Sequence, residues 1–129
     1  MSTTLPPPRS SPAETIREYY ARIDANDTAW VLALFAPTAV YERAGVTYRG
    51  ADEIGQFFCV QRRIRGVHTI QHLWPIASRV IVAVGEFDGA GTLGDPRRVR
   101  FADVWWFGKT ERVERRETFL ATGHRYVEA

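Results

Sequence analysis

Hydrophobic residues recur at helical spacing in the first half of the chain and alternate with polar residues in the second. Ile16, Tyr19, Tyr20 and Ile23 follow Ser11-Pro12-Ala13-Glu14, which reads as a capping box with proline at the first helical position. A second, shorter helix is predicted through Trp30, Val31, Leu34 and Phe35, capped by Asn26 or Asp27 and unable to continue through Pro37. A short strand through Val40 and Glu42 follows. After Gly50 the pattern predicts a third helix, capped by Asp52 and carrying Ile54, Phe57, Phe58 and Gln61. Arg62, Arg63 and Arg65 complement its C-terminal dipole before Gly66.

Beyond Gly66 the period drops to two. Segments 67–76, 80–88, 97–107 and 113–122 read as an antiparallel meander, parted by turn-forming residues. Helices first and strands afterwards predict an α+β fold, with three N-terminal helices packed on a curved, mainly antiparallel sheet and a pocket between the layers. Residues 1–10 are proline-rich with Leu5 as the one large aliphatic, so a disordered tail is expected there and a single domain over residues 11–129.

Composition narrows the partners. The chain has 129 residues, 45% hydrophobic and 12% aromatic, enough for one sizeable core. Its 17 basic and 15 acidic residues are interspersed, leaving no basic stripe to follow a phosphate backbone, so nucleic acid is not an expected partner. No apolar run approaches the roughly 20 residues that span a bilayer, so no membrane partner is expected and a cytoplasmic location is. Cys59 is the single cysteine, which rules out an internal disulfide, and its place in the third helix predicts a buried, inert thiol. Gly89-Ala90-Gly91-Thr92-Leu93-Gly94 matches a dinucleotide fingerprint formally, but Asp95-Pro96 and a further strand follow it, so a hairpin loop is expected.

The stretch from Val99 to Phe107 carries the most chemistry. Alternation puts Val99, Phe101, Asp103, Trp105 and Phe107 on one face, with Asp103 its only polar member. A carboxyl group among apolar neighbours loses hydration, which favours its protonated, hydrogen-bond-donating form. Pairing with an arginine is the structural alternative. Val104 and Trp106 project from the opposite face and predict a homodimer through the sheet. His68 and His72 lie about 13 Å apart along a strand, too far to share a metal, and either can assist proton transfer if it faces inward. The mixed charges of residues 111–117 read as a solvated strand face.

The segments YARIDANDTAWVLALFAPTAVYERAG, YRGADEIGQFF and RFADVWWFGKTERVERRETFL resemble the ketosteroid isomerase branch of the nuclear-transport-factor-2-like superfamily, over most of residues 15–122. The resemblance implies a cone-shaped, cystatin-like barrel. It also implies that Glu42 moves a proton, Tyr19 forms an oxyanion hole and Asp103 stands beside Tyr19 as a protonated acid, with Phe57, Phe58, Phe101, Trp105, Thr118 and Leu120 around the substrate. Enolisation needs such groups: a base near the α-proton and neutral donors near the carbonyl oxygen that becomes negative. Glu42 is one methylene longer than the family's aspartate, Arg43 follows where proline is usual, and Leu120 replaces a tryptophan common in steroid-binding members.

Similarity to the SnoaL-like polyketide cyclases implies an acid–base role for Asp103 equally well. Phe101 and Thr118 occupy positions where limonene epoxide hydrolase needs an arginine and an aspartate, which disfavours epoxide opening. The expectation is an isomerase or cyclase working by enol or enolate chemistry on a small apolar carbonyl compound, polyketide, terpenoid or steroid-like, without metal, nucleotide or flavin. The alternative is a ligand-binding or dimerisation module of the same fold.

Overall fold

The structure, a computed structural model, describes residues 11–121, so the expected N-terminal tail lies outside the described residues. Helix α1, Pro12–Asp24, begins as its sequence dictates, with the Ser11 hydroxyl accepting from the Glu14 amide at 3.2 Å, and buries Ile16, Tyr19, Tyr20 and Ile23. Asp27 caps α2, Thr28–Leu34, by accepting from the Trp30 amide at 3.2 Å. Phe35 leaves the helix and opens strand β1, Phe35–Arg43, which forms a hairpin with β2, Val46–Arg49.

Helix α3 spans Gly50–Gln56 and starts earlier than the Asp52 cap predicts. Gly50 has φ +79°, a left-handed turn that glycine adopts without strain, and the Glu53 carboxylate accepts from the Arg49 amide at 3.1 Å. The chain then widens into a π-helical segment, Phe57–Gln61. The wider turn sends the adjacent Phe57 and Phe58 into the core together and leaves Cys59 exposed, against the expectation of a buried thiol.

Four long strands follow among the described residues: β3 Arg65–Ala77, β4 Val80–Ala90, β5 Pro96–Phe107 and β6 Val113–Leu120. They form the expected antiparallel meander, extended by a parallel pairing of β6 with β1 to give the order β2-β1-β6-β5-β4-β3. The sheet curves round the helices without closing, leaving β2 and β3 as its edges. Gly91 and Gly94 lie in the β4–β5 hairpin, where the Gly91 amide donates to the Asp95 carbonyl at 2.8 Å.

Alternation sorts the sheet into two faces. On β5, Phe101, Asp103, Trp105 and Phe107 are buried against the helices, while Ala102, Val104 and Trp106 look outward. A bulge between Ile70 and His72 breaks the alternation of β3. His68 therefore faces inward opposite Phe87, whereas His72 stacks on Trp74, ring centroids 4.7 Å apart, on the outer face. No helix among the described residues is long and apolar enough to cross a membrane.

Candidate functional site

Between the helices and the concave face of the sheet lies a cavity of about 480 Å³. Tyr19, Asp103, Phe57, Phe58, Phe101, Thr118 and Leu120 all line it. Trp105 does not; it is fully buried behind the lining, 4.7 Å from the Tyr19 ring.

Glu42 is not brought to the cavity. Alternation on β1 turns Tyr41 and Arg43 inward, so Glu42 projects from the other face, where its carboxylate accepts from Arg115 Nη2 at 2.9 Å. The sequence places Arg43 and Arg49 nearer along the chain, but the parallel β1–β6 pairing supplies the partner.

Asp103 is 1% exposed and three side chains donate to it. Arg116 reaches Oδ2 through Nη2 at 2.9 Å and Oδ1 through Nε at 3.4 Å, Tyr20 donates to Oδ2, and Thr118 donates to Oδ1. Of the two expectations for Asp103, a protonated acid beside Tyr19 or a pairing with an arginine, the geometry has the second: Asp103 is paired with Arg116, and the tyrosine that donates to it is Tyr20. The charged stretch that reads as solvated hides the cause, because Arg116 shares the inward face of β6 with Thr118 and Leu120. That shared parity was the available signal for it.

Arg116 is held in an aromatic cage, its guanidinium carbon 4.7 Å from the Tyr19 ring centroid, 4.6 Å from Tyr41 and 4.2 Å from Trp105. Its Nη1 donates to the Tyr19 hydroxyl at 2.6 Å. Burial opposes its charge, but Asp103 and the surrounding tyrosines push its pKa well above the usual range. It is a permanent buried cation.

The direction of the remaining protons follows from valence. Thr118 gives its hydroxyl proton to Asp103, so Tyr41, 3.1 Å from Thr118 Oγ1, must donate to it. Tyr20 donates to Asp103 and accepts from Trp105 Nε1 at 3.3 Å. Tyr19 alone of these hydroxyls accepts from Arg116 while its own proton has no acceptor among the described residues. Burial raises its pKa above the ordinary tyrosine range in spite of the Arg116 charge, so Tyr19 is a neutral donor.

A dyad includes a second lining residue of this cavity. His68 lines the cavity, and Asp24 at the end of α1 accepts from its ring Nδ1 at 2.5 Å and from its backbone amide at 2.8 Å. A carboxylate can only accept, so Nδ1 carries a hydrogen; in the neutral ring this leaves the lone pair on Nε2, which has no partner among the described residues. The Tyr20 ring touches both residues, 5.0 Å from the Tyr19 ring and 5.3 Å from the His68 ring, centroid to centroid. The sequence offers His68 as an inward-facing candidate but gives no sign of Asp24. Among the described residues no group of His, Cys, Asp and Glu is arranged to hold a metal ion.

The comparisons agree with this architecture. The model of the SnoaL-like domain family matches residues 16–116. An NTF2-like protein of unknown function from Burkholderia pseudomallei superposes with a TM-score of 0.76 at 24% identity, covering 87% of this chain and 92% of that one. RV0760c from Mycobacterium tuberculosis, solved in complex with estradiol-17beta-hemisuccinate, gives 0.74 at 18% identity over 85% and 94%. The Delta 5-3-ketosteroid isomerase of Mycobacterium sp. gives 0.72 at 15% identity over 85% and 93%. No curated protein matches the chain.

Proposed function

The chain belongs to the SnoaL-like domain family, and from that premise we propose that it is a cofactor-independent enzyme moving a proton next to a carbonyl of a small apolar molecule, as an isomerase or cyclase. One observation carries this reading: Tyr19, whose hydroxyl proton has no acceptor among the described residues, and the Asp24-oriented His68 imidazole line the same cavity. His68 Nε2 takes the α-proton, and the electron pair moves into the carbonyl as an enolate. Tyr19 donates a hydrogen bond to the oxygen as it becomes negative, backed by the Arg116 cation. The imidazolium returns the proton to another carbon in an isomerisation, or, in a cyclisation, the enolate carbon attacks a second carbonyl and the imidazolium protonates the alkoxide that forms. Asp103 positions Arg116, and through it Tyr19, instead of meeting the substrate as an acid.

The solved relatives that carry a steroid-derived ligand or act on a ketosteroid support an apolar, ring-shaped substrate. The second reading, a ligand-binding module without chemistry, is favoured by Glu42 lying outside the cavity. A homodimer through the outer face of the sheet belongs to the proposal as well, supported by Val104 and Trp106 projecting there and by the exposed Trp74 and Phe119 on the flanking strands.

The test is binding of 2-naphthol, a mimic of a dienolate, to wild type and to Tyr19→Phe. A hydrogen bond to a developing negative oxygen is worth about 1.5–3 kcal/mol, so Tyr19→Phe should weaken binding by about tenfold to a hundredfold. Binding indifferent to the change would remove the oxyanion role.

A further inference from the structure

The cavity holds more positive charge than its acids balance. Arg116 is neutralised by Asp103, yet Arg43, Arg62, Arg63, Arg97 and Arg98 also line the cavity, and Asp103 is the only acidic residue among the described lining residues. Two of these arginines are engaged outside, Arg97 with Asp95 at 2.6 Å and Arg98 with Glu86.

Arg43 and Arg62 differ from that pair. Each has a buried Nε with no hydrogen-bond partner among the described residues. Arg43, the residue that departs from the family pattern after Glu42, lies over the Phe57 ring at 4.6 Å. Arg62 is held by Nη2 donating to Asn26 at 2.8 Å, which orients its fork. Burial lowers the Arg62 pKa, and the charges of Arg65 and Arg43 lower it further. Two guanidinium groups that line one cavity wall and repel each other, with no carboxylate paired to either among the described residues, are complementary to an anion. The planar fork of arginine matches a carboxylate in particular.

We infer that Arg43 and Arg62 are the receptor for a carboxylate carried by the substrate, whose apolar body lies against Phe57, Phe58 and Phe101 while its carbonyl reaches Tyr19. This rests on the reading of the cavity as the substrate site and names the class of compound that fills it: an amphiphilic keto acid. It accounts for two cavity-lining cations for which the proton-transfer groups have no use.

The experiment compares 2-naphthol with 6-hydroxy-2-naphthoate, which adds a carboxylate at the far end of the same ring system, at low and at 0.5 M salt. Wild type should bind the hydroxynaphthoate about tenfold or more tightly than 2-naphthol, and salt should shrink that advantage. Arg43→Gln and Arg62→Gln should each abolish most of the advantage while leaving 2-naphthol affinity and thermal stability near wild type. Equal affinity for the two compounds, or an advantage that survives both substitutions, overturns the inference. The reading of Tyr19 fails separately: 2-naphthol would bind equally to wild type and Tyr19→Phe, whatever the carboxylate adds.

Discussion

Arg116 and Asp103 meet diagonally across the β5–β6 pair, at 2.9 Å through Nη2 and 3.4 Å through Nε, with side chains 5% and 1% exposed. A buried ion pair of this kind gives little net stability, because desolvating both charges offsets their attraction. Its value lies in what it orients. Arg116 reaches Tyr19, and Asp103 gathers Tyr20 and Thr118, so the pair sets which hydroxyls are committed and which one is left to donate.

Breaking one side of the pair should therefore be severe and replacing both sides mild. Arg116→Met and Asp103→Leu should each lose about 3–5 kcal/mol in urea denaturation, since each strands a buried charge. The double variant should lose clearly less than the sum of the two. Strictly additive losses would mean that the two side chains are not coupled.

Stability should fall in alkali more steeply than an exposed set of tyrosines would produce. Burial raises the pKa of Tyr19 and of Tyr20, for Tyr20 with the Asp103 carboxylate adding to it. Both stay protonated in the folded state while the unfolded chain releases its phenolic protons from about pH 10. The folded state then binds more protons, so the stabilisation is complete below about pH 10 and is lost as pH rises towards the raised folded values. Each tyrosine should contribute a slope of about 1.4 kcal/mol per pH unit above that point. Urea midpoints between pH 9 and 11.5 check this, and Tyr19→Phe should flatten the slope by one tyrosine's share.

Proton transfer should depend on the dyad. In D2O, wild type should exchange the α-protons of a benzylic ketone such as β-tetralone, followed by NMR. His68→Gln should slow exchange by about 10²–10⁴-fold, the usual contribution of a general base. Asp24→Asn should slow it by less, because it disturbs the tautomer of His68 while leaving the imidazole in place. Glu42→Gln should leave the rate within about twofold, since its carboxylate faces Arg115 outside the cavity. Loss of exchange in Glu42→Gln with retention in His68→Gln would reverse the assignment, and absence of exchange in wild type would favour the binding module.

Local pattern was enough for much of this and non-local pairing was not. Period two along 97–107 isolates Asp103 as the polar group on a buried face, helical spacing selects Tyr19 and Tyr20, and capping chemistry selects Ser11 and narrows the second cap to Asn26 or Asp27, of which the structure uses Asp27. Glu42 failed because a single step along β1 decides between cavity and outer face, and only the pairing with β2 and β6 sets that step. Strand β2 is four residues long and gave too short an alternation to read. Arg116 was hidden by its charged neighbours, although its parity with Thr118 matches the inward face. The Asp24–His68 contact joins residues 44 positions apart through the packing of α1 on β3, which no window along the chain can contain.

The outer face of the sheet leads to the last expectation. Val82 and Val104 stand opposite each other on β4 and β5, with Trp74 beside Val82 on β3 and Trp106 next along the outer face of β5. Trp74 is 49% and Phe119 50% exposed, so this side of the sheet carries apolar surface that water solvates poorly. Arg115 covers part of Trp106, its guanidinium carbon 5.5 Å from the ring, and with Glu42 and Glu117 it supplies a polar rim. An apolar centre with a charged border suits a second copy of the same face. Light scattering should give a mass about twice the 14.7 kDa of one chain. Val104→Glu should return it to the mass of a single chain while leaving 2-naphthol binding intact, because Val104 is on the opposite side of β5 from Asp103. A wild-type mass of one chain at micromolar concentration would show that this face works uncovered.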